Sequence, residues 1–295
     1  MDKWKMTVKK DRLKDYRLKV AEFWRRYKKS KAAVLGLAII ISFLTIAIFA
    51  HILAPYDPWQ IDFSQKFQKP NMKHLMGTDQ FGRDILSRII YGSRVCLTIG
   101  FVAAGISAFI GILIGATSGY FGGKVDDVLM RFTEMFLVIP RFFLILLIVS
   151  LFGGSVWNVM IVIGLTSWPG TARLVRAEFL SLKEREFVEA ARLVGAKDFK
   201  IIFRHILPNA LSPVIVSSSL KVAGAILSEA GLSFLGLGDL TYVTWGQMLN
   251  RSQHFMRTAW WMAVFPGLMI FITVLSFNLI GDGLNDALNP RLKEK

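Results

Sequence analysis

The chain has 295 residues, is 53% hydrophobic, carries a formal net charge of +15 and has a mean hydropathy of +0.46. Apolarity at this level, gathered into long runs rather than spread at a short period, excludes an ordinary water-soluble domain and points to lipid as the solvent. The charge does not argue for nucleic acid, because thirteen basic residues against four acidic ones lie between Met1 and Lys31, directly ahead of an apolar run.

That arm, residues 1–31, marks the cytoplasmic side, and its expected partner is anionic membrane lipid. The apolar run behind it exceeds the roughly 7–15 residues of a removable signal, so it is expected to remain as an anchor. A membrane helix needs about 20 apolar residues to cross about 30 Å of hydrocarbon. Six stretches are assigned to that role: 32–54, 95–119, 132–152, 156–168, 213–235 and 260–280. Each is expected to be helical, since lipid offers no partner to an open backbone group. The fold expectation is therefore an all-α integral membrane protein with six transmembrane helices.

In chain order, the first span and its external loop occupy 32–94. The loop carries Pro55, Pro58 and Pro70 and the turn-rich stretch Gly77 to Gly82. A five-span core, 95–290, follows, with a polar loop at 181–208 and a tail at 291–295. Cys96, the single cysteine, excludes a disulfide framework and reads as a small core residue. Gly111, Gly115 and Gly119 repeat every four residues and predict one helix face packed closely against a neighbour. The fourth stretch is the weakest, interrupted by Ser167, Trp168 and Pro169, and is expected to run on toward Leu180. Glu134 is expected to pair with a base such as Arg131. Trp157, Trp245, Trp260 and Trp261 are expected at the membrane interface, and Asp282 and Asp286 at local caps.

Orientation follows from the loops. The long polar loop holds Arg173, Arg176, Lys183, Arg185, Arg192, Lys197, Lys200 and Arg204, whereas the loop 236–259 holds only Arg251 and Arg257. With basic loops inside, both termini face the cytoplasm. Glu229 lies in the fifth apolar run, where an ionised carboxylate costs about 2.5 kcal/mol or more. Two readings stay open for it: a translocation path that meets a substrate ammonium, or a carboxylate paired with its neighbours.

Residues 186–195 read EFVEAARLVG. Phe187, Ala190, Ala191 and Val194 share one helical face, while Arg185, Glu189 and Arg192 share the other. Gly195 suits the left-handed residue after a helix, and Asp198 suits the N-cap of the next. Phe199, Ile202, Phe203 and Ile206 then repeat the spacing until Pro208 is expected to stop the helix. Such a pair serves a partner's groove or lies on the headgroups, and the pattern alone does not choose.

Glu189, Ala190, Ala191, Gly195, Leu207 and Pro208 match the EAA signature of permeases in ATP-binding-cassette importers, apart from His205, where an apolar residue is usual. Further stretches extend the likeness: Gly77 to Asp84, Ser167 to Gly170, Leu232 to Gly238 and Gly281 to Arg291. With its basic arm and single span before a five-span core, the chain resembles the second, C-type, permease of the dipeptide/oligopeptide family. The resemblance implies a type I importer fold and a coupling loop at 181–208 that docks on one or two ATPase subunits. It also implies a second permease subunit, an extracytoplasmic substrate-binding protein and di- or oligopeptides as cargo. Nickel, glutathione or oligosaccharide importers share this permease type, and a non-transporting scaffold is the more distant alternative.

The absences agree. No phosphate-binding G-x-x-x-x-G-K-[ST] loop occurs, and His51, His74, His205 and His254 are scattered without metal-ligand spacing. The chain is therefore expected to be no enzyme, with no catalytic residue, metal or cofactor of its own. ATP and magnesium would be bound by the partner ATPases.

Overall fold

The computed structural model describes residue 18 and residues 20–288; the expectations for the rest of the basic arm and for the tail lie outside them. Among the described residues every regular element is a helix, and the strand-like pairing is one bridge between Thr78 and Asp84. The helices that organise the described residues are α1 (Lys31–Ile48), α2 (Ile85–Phe121), α3 (Gly123–Val138), α4 (Arg141–Phe152), α5 (Val156–Lys183), α6 (Glu186–Leu193), α7 (Leu207–Phe234), α8 (Trp245–Ser252) and α9 (Trp261–Leu288). Among the described residues four helices are long and apolar enough to cross a membrane: α1, α2, the helix Asp198–Phe234 that contains α7, and α9.

The predicted third span is not one straight helix. Helices α3 and α4 qualify only as a pair, bent by 82° at the break between them. Pro140 explains the bend: Ile139, the residue before it, is driven to an extended conformation (φ −86°, ψ 125°), which a continuing helix cannot accept. The predicted fourth span does continue past Pro169 toward Leu180. Helix α5 carries Pro169 inside it and continues to Lys183, with arginines and hydroxyl residues that keep its composition below that of a lipid-facing span.

Helix α2 begins ten residues before the predicted span. Asp84 caps it, accepting from the Ser87 amide at 2.7 Å, and Ile85, Ile89 and Ile90 bury its first turns. The glycine row behaves as expected. A Cβ at Gly111 would lie 2.4 Å from Thr171 Cβ, one at Gly115 2.4 Å from Ala172 O, and one at Gly119 2.6 Å from Phe179 Cβ. All three contacts are with α5, so the row lets two backbones meet at the centre of the fold.

Two of the four tryptophans contradict the interface expectation. Trp245 and Trp261 are each 1% exposed. Their indole N–H groups donate to Ile89 O and Thr78 O, both at 3.1 Å, which lets a large ring be buried without an orphan donor. Trp157 and Trp260 are exposed, as anchors would be. Asp282 and Asp286 are not caps either, since α9 runs past both of them to Leu288. Cys96 is buried, as expected, and its Sγ accepts from the Trp245 amide at 3.5 Å.

Residues 55–84 fold into a cap over the end of the bundle where α2 begins. Asp79 receives the Phe81 and Arg83 amides and the Arg83 Nε, at 2.8, 3.0 and 2.7 Å. His74 bridges Asp84 (2.9 Å) and Gln65 (2.6 Å). Arg88, from α2, donates to Pro58 O at 2.8 Å. Gly77 and Gly82 both adopt φ +75°, so the turns expected between them are real. On the other loop at this end, Asp239 accepts from the Thr241 amide at 2.8 Å and from the Val156 amide at 3.1 Å, fastening the 236–244 segment to the start of α5.

Candidate functional site

The polar loop forms a helical hairpin. Helix α6 opens with Glu186 and Glu189 in its first turn, where acidic groups suit the positive end of the helix, and closes with Arg192 in its last. Its end is a Schellman turn: the Ala196 amide reaches Ala191 O at 3.0 Å and the Gly195 amide reaches Arg192 O at 2.9 Å. Gly195 sits at φ +77°, the left-handed conformation expected of it. Asp198 is not the cap of the following helix. It is the first residue inside, and the Tyr120 hydroxyl donates to it at 2.5 Å, tying the hairpin to the end of α2.

The predicted stop at Pro208 is overturned. The chain runs as one helix from Asp198 to Phe234, with a π turn over Ile201–Ile206 just before the proline. Within that turn the Leu207 amide bonds to Ile202 O, five residues back. Pro208 has no amide to give and its ring would press on the carbonyl four residues behind it; the wider turn removes that conflict. Asn209 donates its side-chain amide to His205 O at 2.7 Å, occupying a carbonyl in the widened turn.

The wider turn also resets the buried face. Ile201 and Ile206, five apart, are both buried, together with Val188 and Ala191 of α6, against Tyr120, Val175 and Phe179. The predicted stripe is therefore split. Ala191 packs inward, while Phe187, Ala190 and Val194 stay exposed. Leu193 is 89% exposed, Val194 84% and Phe199 72%, and the Phe199 and Phe203 rings lie 4.5 Å apart on the surface. Of the six signature residues, Ala191 and Leu207 join the core of the hairpin, whereas Glu189, Ala190, Gly195 and Pro208 face outward.

Beside the hairpin, a polar cleft of ≈ 610 Å³ lies between α3 and α5, lined by Asp126, Arg131, Glu134, Arg173 and Arg176 among others. Arg176 grips Asp126 with two bonds of 2.5 Å. The expected Glu134–Arg131 pair does not form: among the described residues no ion pair involves either. Asp126 instead draws the nearest guanidinium across from α5. Glu229 is 3% exposed, and the Ser233 hydroxyl donates to its Oε1 at 2.7 Å. The bond is local to α7 and leaves Oε2 buried without a partner, so both readings of Glu229 stay open. The sequence reading passed over Lys221 and Arg141, although a basic residue inside an apolar run is itself a signal.

Residues 111–294 match the family described as the binding-protein-dependent transport system inner membrane component, and residues 20–70 match the N-terminal TM domain of oligopeptide transport permease C. The chain belongs to this permease family. The permease is 43% identical over 273 residues to the dipeptide transport system permease protein DppC of Alkalihalophilus pseudofirmus, covering 92% of this chain and 90% of that one. It is 40% identical over 274 residues to the glutathione transport system permease protein GsiD of Pectobacterium atrosepticum, covering 92% and 91%. An inward-facing structure of the methionine ABC transporter MetNI superposes with a TM-score of 0.56 at 19% identity, covering 68% of this chain and 96% of that one. That likeness shows the type I ABC permease fold. The protein is thus a multi-pass permease of a binding-protein-dependent ABC importer, a transport component rather than a catalyst. The hairpin and its exposed apolar residues fall inside the matched family region.

Proposed function

We propose that this permease forms half of a translocation pathway for di- or oligopeptides and is driven by ATPase subunits that grip the hairpin 186–208. Six crossings complete it: α1, α2, the bent pair α3–α4, α5, α7 with its leading turns, and α9. Both termini and the hairpin lie on the cytoplasmic side, a second permease subunit supplies the other half, and one or two ATPase subunits bind ATP and magnesium. An external binding protein delivers cargo to the face formed by the 55–84 cap and α8. Glu229 reaches the pathway only in a state that uncovers its face of α7.

The observation that carries the coupling role is the cluster of uncovered apolar side chains on a basic-side hairpin. Leu193, Val194, Phe199 and Phe203 stand exposed on a helical unit that already has its own buried face. A surface of that kind fits the groove of a protein partner. A cargo of peptides rests on the dipeptide permease relatives; the glutathione permease relatives favour a second reading, in which the same machine carries that tripeptide.

Glu189→Lys and Gly195→Arg are expected to abolish ATP-dependent uptake in proteoliposomes while the variants still insert and assemble with the second permease. Uptake at the native level by both variants would refute the docking role. Binding of dipeptides or of glutathione to the cognate binding protein decides the cargo.

A further inference from the structure

Two basic side chains within the spans have no role in the hairpin. Lys221 of α7 donates to Ser107 Oγ of α2 at 3.1 Å, to Ser167 O of α5 at 2.7 Å and to Thr171 Oγ1 of α5. Those three bonds use every proton of the ammonium and hold it still. Gly224 and Ser228 follow at i+3 and i+7 on the same face of α7. Arg141, the first residue of α4 after the 82° break, reaches over that face. Its Nη2 donates to Ser228 Oγ at 2.9 Å and lies 3.8 Å from where a Cβ on Gly224 would stand. The helical rise puts the two cations roughly 5–10 Å apart along α7.

No carboxylate of the described residues lies within 4.0 Å of either cation. Two neighbouring positive charges at membrane depth are unfavourable unless water or an anion meets them. Lys221 has no donor left, but Arg141 has committed one of its five. Arg141 itself is exposed and follows directly on a break in the chain where Val138 is 81% exposed and Ile139 is exposed. Irregular backbone at that depth is tolerated where it faces protein or a water-filled cavity, not where it faces lipid. Gly224, and Gly170 with nothing within 4 Å of its would-be Cβ, leave room on the α7 and α5 sides.

We propose that Arg141, with Lys221 fixed behind it, receives the carboxylate of the cargo as it passes through the permease. The proposal rests on the import reading above and names the chemistry that reading lacks. A guanidinium fork matches a carboxylate in plane and charge. A single fork anchored at one edge by Ser228 holds such a group without enclosing it, which suits a site that must also release. Dipeptides and glutathione both carry a free carboxylate, whereas neutral oligosaccharides and nickel ions do not.

The test uses the complete importer in proteoliposomes, with both permeases, the ATPase and the cognate binding protein. Dialanine or glutathione, whichever that binding protein carries, is compared with its amide, both carboxyl groups being amidated in the case of glutathione, each at a saturating level. Arg141→Gln is expected to lower the ratio of acid to amide uptake by about ten-fold, the loss of one charge-assisted bond. Arg141→Lys, which keeps the charge and loses the fork, is expected to fall in between. Uptake of neither probe by the native importer would overturn the import reading and the site with it. Native uptake with an unchanged ratio in both variants, or an equal fall for both probes, overturns the site alone. An Arg141→Gln complex that loses the second permease subunit, beside an Arg141→Lys complex with the native ratio, also overturns it, because the arginine then serves assembly.

Discussion

The cap of residues 55–84 and the hairpin of residues 186–208 are opposites in construction. The cap has almost no regular structure, a single 3-10 turn at Phe63–Gln65, yet it buries His74, Thr78, Asp79, Arg83 and Asp84 in bonds to itself and to α2. The hairpin is helical nearly throughout, yet it leaves its largest apolar groups in the open. Regular backbone and self-sufficiency are therefore separate properties. The cap ties most of its buried polar groups into bonds of its own, leaving Gln80 Oε1 as an exception, whereas the hairpin leaves apolar groups available to a partner.

Breaking the cap should cost the most. Gly82 is at φ +75°, and a Cβ there would fall 1.8 Å from Asp62 O. Gly82→Val is expected to destabilise the permease on the order of 3 kcal/mol, through left-handed strain plus displacement of Asp62. Thermal unfolding of the detergent-purified importer measures it; an unshifted transition would mean the cap is not a cooperative part of the fold. A milder perturbation is acid. Hydrogen bonds from the Ser64 hydroxyl, the Gln65 side chain and the Ser64 amide hold the Asp62 carboxyl below the usual aspartate range. A lowered value means the contribution is intact above the ordinary range and disappears as pH falls through the folded value. The protection of the Ser64 amide, measured relative to its intrinsic exchange rate at each pH, should therefore hold near neutrality and fall only in strong acid, with no such step in Asp62→Asn. The smallest effect on stability belongs to the hairpin. Val194→Asp should alter the permease's unfolding by no more than about 0.5 kcal/mol, since the side chain touches little of its own chain. The same variant should lose the ATPase on copurification, so that retention of the ATPase would undo the contrast between the two regions.

Much of this was legible in the sequence, and the failures have common causes. The glycine row, Gly195 and Cys96 were read correctly because each depends on size or backbone conformation that only such residues supply. Trp245 and Trp261 were misplaced because hydropathy does not distinguish a lipid neighbour from a helix neighbour, and their N–H partners are backbone carbonyls far away in the chain. The bend at Pro140 was missed because hydropathy averaged over 132–152 masks the Pro140–Arg141 interruption. Pro208 was misread for the opposite reason: the rule that proline ends a helix assumes four-residue spacing, and the π turn steps outside it. Arg141 and Lys221 were visible as letters, but what they share is a face of α7 to which distant segments contribute.

The π turn has one more consequence. It joins two stretches of coil whose angular settings differ, much as a coupling joins two shafts keyed at different angles. Removing a single residue from Ile201–Ile206 would restore ordinary winding and swivel the hairpin by on the order of 100° about the axis of α7. The direction in which the hairpin points is thus written in one surplus amino acid.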